Sequence, residues 1–76
     1  GDIMNHVEIH LTPDQLAVVH DLREIRVFHE GKLSETIKPD GFADLICYSG
    51  RSYSFVGVEE SASIKGKDVC FLKFYA

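Results

Sequence analysis

The closing run Val69-Cys70-Phe71-Leu72-Lys73-Phe74-Tyr75 constrains this chain more than any other stretch. One parity holds Cys70, Leu72 and Phe74; the other holds Val69, Phe71 and Tyr75, interrupted by Lys73. A strand with water on one side alternates apolar with polar residues, so a run that is apolar on both parities needs cover on both faces. That cover comes from a central place in a closed barrel, from a helix and loops of the same chain, or from another molecule. At 76 residues the chain is read as one domain, residues 1–76. A domain of this size hides only roughly 60–65% of the surface its unfolded form exposes. Burial supplied by a second copy therefore counts for more than in a larger protein, and a two-fold dimer is the commonest closed solution. The expectation is a homodimer with Val69, Phe71, Lys73 and Tyr75 at or near its interface.

A second signal lies near the start. In Thr12-Pro13-Asp14-Gln15, Thr12 can cap a helix, Pro13 suits the first helical position, and Gln15 completes a capping box. At about 100° per residue, Leu16, Val18, Val19 and Leu22 share one arc while Asp14, Ala17 and Asp21 lie opposite. The pattern predicts an amphipathic helix beginning at Thr12.

The rest of the chain reads as strands. Val7, Ile9 and Leu11 alternate with His6, Glu8 and His10, and Glu24–His29 turns through Glu30-Gly31 into Leu33–Ile37 as a hairpin. Lys38-Pro39-Asp40-Gly41-Phe42 is a turn signal. A second hairpin is expected from Ala43–Tyr48 and Ser52–Val58, with Gly50 at its tip and Gly57 marking a bulge or bend. Residues 59–67 read as a polar connection before the last strand. The order β-α-β-β-β-β-β predicts an α+β domain: one N-terminal helix packed on a curved, mostly antiparallel sheet or small open barrel.

Charge and chemistry narrow the function. Eight Lys and Arg against 12 Asp and Glu give a net charge of -4, with the cations scattered, which makes a nucleic-acid backbone a poor partner. No apolar run approaches the ~20 residues that span a bilayer and no signal-peptide pattern opens the sequence, so a cytoplasmic setting is expected. Cys47 and Cys70 sit in apolar runs and form no C-x-x-C pair; they are read as buried, reduced and inert.

His6, Glu8 and His10 place two imidazoles and a carboxylate in five residues. On a strand, however, His6 and His10 lie about 13 Å apart at ~3.3 Å per residue. A histidine and its metal bond reach only roughly 6–7 Å from Cα, so the three cannot converge on one ion. The face reads as a solvated strand, with no metal and no cofactor expected. On the helix wheel His20 falls half-buried at the helix–sheet rim, and His29 is expected to cap the core at a strand end.

The tip Tyr48-Ser49-Gly50-Arg51-Ser52-Tyr53 combines a guanidinium, two hydroxyls and two tyrosines, a mixture suited to recognition. Tyr48, Arg51 and Tyr53 are the candidate partner- or ligand-binding residues. No nucleophile elbow, phosphate-binding glycine loop or zinc-protease motif is present, so catalysis is not expected. The reading that emerges is a non-catalytic, self-associating protein-binding module, accessory subunit or regulator. Two alternatives are a metal- or small-ligand-binding protein using His6, Glu8 and His10, and a weak single-stranded nucleic-acid binder through Tyr48, Arg51 and Tyr53.

Overall fold

The computed structural model describes residues 4–76. They form β1 (His6–Leu11), β2 (Gln15–Val19), β3 (Leu22–His29), β4 (Lys32–Ile37), β5 (Arg51–Gly57), β6 (Ser61–Lys65) and β7 (Val69–Tyr75), with short 3-10 turns at Pro39–Asp44 and Gly66–Asp68. All pairing is antiparallel, in a three-stranded sheet ordered β2-β1-β7 and a four-stranded sheet ordered β4-β3-β5-β6. Val7, Ile9 and Val19 from the smaller sheet meet Leu22, Ile25, Val27, Tyr53 and Phe55 from the larger, with Phe42 closing one side. The radius of gyration, 11.5 Å, matches about 11 Å for one compact domain of this length. Among the described residues no helix is long and apolar enough to cross a membrane.

The α+β reading is overturned: among the described residues no helix packs on either sheet. Residues 12–14 form a turn, the Thr12-Pro13 peptide bond is cis, and Gln15–Val19 pairs along β1. The groups that compose a capping box are spent elsewhere. Thr12 donates its backbone N–H (2.9 Å) and its hydroxyl (3.4 Å) to the Asp68 carbonyl, and Gln15 lies opposite Leu11. A helix here would have had only a short run before the turn at His20 and Asp21, and isolated short helices are marginal. Five cross-strand pairs and β-branched Val18 and Val19 favour the strand. The residues then follow period two, with Ala17 and Val19 inward and Leu16 exposed. His20 leaves the expected helix rim for this exposed turn, and His29 is exposed at the end of β3 rather than capping the core.

The first expected hairpin is present, its turn built on Glu30 (φ 53°) and Gly31 (φ 79°), the paired positive dihedrals of the hairpin turn that matches strand twist. The second is not. The turn after Lys38 continues through Asp44, and Leu45–Tyr48 runs extended with no ladder partner among the described residues. β5 instead pairs with β3 on one side and β6 on the other. The expected polar connection contains β6, in which Ala62 and Ile64 pack on the core between outward Ser61, Ser63 and Lys65. Gly57 does lie beside a bulge, where the β3–β5 register shifts between Leu22 and Glu24.

The doubly apolar run is resolved by another irregularity. β1 and β7 shift register between His10 and Leu11, so that His10 faces Phe71 while Leu11 faces Val69. Cys70 is the extra residue, and the shift turns Val69 to the same inner side as Leu72 and Phe74, all three packed on the core. Cys70 is left exposed, correcting the expectation that both cysteines are buried. β7 is an edge strand and not a central one.

Candidate functional site

A four-stranded sheet facing a three-stranded one leaves part of its inner face without a strand opposite. Pro39–Tyr48 occupies that opening, and a cleft of about 500 Å³ lies between it and β4. Val27, Ile37, Leu45 and Tyr53 contribute apolar surface, while Glu35, Lys38, Asp44 and Arg51 bring charge of both signs. Glu35 marks the opening: it lies opposite buried Val27, so its side chain takes the inner face, yet it is exposed.

The wall formed by Leu45–Tyr48 is held by a few contacts. Phe42 is buried and stacks on Phe74 at 5.8 Å, anchoring the preceding turn. The Tyr53 hydroxyl accepts from the Tyr48 N–H at 2.7 Å and donates to the Ile46 carbonyl at 3.4 Å. The Arg51 N–H closes the next turn on the Tyr48 carbonyl at 3.1 Å. These bonds stand in for a ladder, which is why an alternating sequence ends as an unpaired strap.

The structure brings Tyr48, Arg51 and Tyr53 together, in unequal roles. The Arg51 guanidinium lies over the Tyr48 ring at 5.0 Å, and Tyr48 is 53% exposed. Tyr53 is 1% exposed, so it supports the strap from beneath and has no free face on which a base could stack. Ile46, 64% exposed on the strap, adds apolar surface beside Tyr48. Lys38 donates to Glu24 at 2.8 Å, and this ammonium, followed by Arg26, holds the Glu24 carboxyl below its usual range. Cys47 is half-buried on the other side of the strap, where burial pushes its thiol up.

Glu35, Asp44 and Ile46 belong to this site without any local sequence signal. Only the inward parity of Glu35, a charge in a strand's apolar phase, could have pointed to an uncovered place.

His6, Glu8 and His10 face outward on β1, and β7 lays its outward side chains beside them. His10 stacks on Phe71 with centroids 4.0 Å apart and bonds Glu8 at 3.0 Å. His6 packs on Tyr75 at 5.3 Å and meets His20 edge-on at 5.2 Å, while its Nδ1 accepts the Asp21 N–H at 3.2 Å. Lys73 stands opposite Glu8. The imidazoles thus pack on the outward rings of β7 from the β1 side and leave Phe71 exposed. Among the described residues no three of His, Cys, Asp and Glu come together as metal ligands.

Compared with protein-family models, with curated proteins and with solved structures, the chain matches none.

Proposed function

We propose that this chain is a non-catalytic protein-interaction module, an accessory subunit or small regulator of the cytoplasm, whose cleft receives an extended segment of a protein partner. The observation that carries the reading is the open cleft beside β4: an apolar floor, a rim of both charges, and Arg51 laid over exposed Tyr48. Tyr and Arg are the residue types that most often dominate interface energetics, and a mixed-charge rim selects orientation. Two unpaired thiols suit a reducing compartment.

The test is affinity capture from host lysate by the wild type, by Tyr48→Ala/Arg51→Ala and by Lys67→Ala as a remote control, followed by titration of the captured protein. The double variant is expected to fold normally and to bind about tenfold or more weakly, since loss of such side chains commonly costs over 1 kcal/mol each. Equal affinity for all three proteins removes the cleft as the binding site.

A further inference from the structure

We infer that two copies of this chain pair edge to edge through β7, in an antiparallel register centred on Leu72, joining their three-stranded sheets into one of six strands. The inference is independent of the cleft and of its partner.

Four strands end a sheet: β2, β7, β4 and β6. Three of them are blunted along most of their length, whereas β7 carries only the bulge at Cys70, near its start, and Lys73. β4 has Lys32 at its start and inward Glu35 at its middle; β6 spans five residues with two serines and a lysine; β2 spans five and approaches β5 and β6. β7 runs seven residues with Lys73 as its single charge, and Phe71 on it is 56% exposed. Among the described residues no backbone hydrogen bond reaches its outer edge. Beside that edge lies a groove of about 250 Å³ between β7 and Ala43, Leu45 and Cys47. Every lining side chain is apolar or a thiol, so the polar groups facing the groove are backbone N–H and C=O, the groups an added strand would bond.

The charge pattern selects a second copy as that strand and also selects its register. A two-fold axis normal to the sheet keeps outward faces together, so the charge on outward Lys73 must meet an outward residue. Centring on Lys73 sets two ammonium groups directly opposite. Centring on Phe71 carries Lys73 to Val69, which the bulge has turned inward. Centring on Leu72 places each Lys73 against the partner's Phe71, a cation over an aromatic face, twice by symmetry. Glu8 stands behind each Lys73 on β1 and balances it. Tyr75 falls opposite Val69 in this register, yet of the three it alone gives each Lys73 an outward, uncharged aromatic partner.

Light scattering with gel filtration at tens of micromolar, with circular dichroism as the check on folding, tests the pairing. The wild type is expected at twice the 8.5 kDa of one chain. Phe71→Lys, at an exposed position, sets lysine against lysine at both contacts and is expected to halve the mass. Phe71→Glu sets a carboxylate against the partner's Lys73 at both contacts only in the Leu72 register and is expected to keep the dimer. A wild type at 8.5 kDa, a Phe71→Lys variant that stays dimeric, or a folded Phe71→Glu variant that is monomeric overturns the inference. If Phe71→Lys does not fold, wild-type deuterium exchange decides: uptake in Phe71–Tyr75 must rise on dilution, and uptake independent of concentration overturns the pairing equally.

Discussion

Gly66 occupies a place that no side chain can share. A Cβ there would lie 1.9 Å from the Tyr48 carbonyl oxygen and 2.9 Å from that of Arg51, backbone atoms of the turn that ends the cleft wall. At Gly50, the tip of the same turn, an added Cβ would meet nothing within 4 Å, and no positive φ stands to be protected. Gly66→Ala is therefore expected to lower stability by roughly 2–3 kcal/mol in urea unfolding, and Gly50→Ala by less than about 0.5 kcal/mol. Sequence reasoning ranks these two glycines the other way, because Gly50 sits between tyrosines in an evident turn while Gly66 lies in a featureless polar stretch. What separates them is a neighbour 18 residues earlier, which no local pattern contains. Cys70 carries the same lesson: its parity reads as buried, and the bulge displaces it.

At the scale of elements, the strap Leu45–Tyr48 depends on one buried hydroxyl. Tyr53→Phe keeps the ring in the core but removes both hydrogen bonds to the strap. The expected cost is about 1–2 kcal/mol of stability, with the Tyr48 amide exchanging faster while β3 and β5 stay protected; unchanged exchange at Tyr48 would show that the hydroxyl does not hold the wall. The strands β1, β3 and β4 are legible because each alternates or is bounded by a clear turn, and β7 because it is a nearly unbroken apolar run. β2 is not. Its capping box, Thr12 to Gln15, is a real local preference, and the arc of Leu16, Val18, Val19 and Leu22 satisfies a helix as well as a strand. Pairing with β1 and burial of Val19 decide between them. β6 escapes for a different reason: two small apolar positions among serines are too faint a pattern to rank above a loop.

For the whole molecule, the architecture predicts an uneven distribution of protection. β1, β3 and β5 are bonded on both edges and bear most of the buried core. Their amides are expected to exchange slowest, through global unfolding, while Leu45–Tyr48 and the outer edge of β4 exchange through local openings. Native-state exchange read by mass spectrometry or NMR checks this; equal protection in the strap and β3 would contradict the open cleft. Local pattern sufficed for the first strand, the β3–β4 hairpin, the last strand and the grouping of Tyr48 with Arg51, since these rest on period-two alternation, on dihedrals that nearby residues impose, on an unbroken apolar run and on nearness in the chain. Long-range packing was needed to make β2 a strand, to turn Val69 inward, to bury Tyr53 and to set Glu35 and Asp44 around the same opening as Arg51. Those outcomes follow from unequal sheets and a register shift between distant strands, and the free energy of such contacts is shared by residues far apart in the chain.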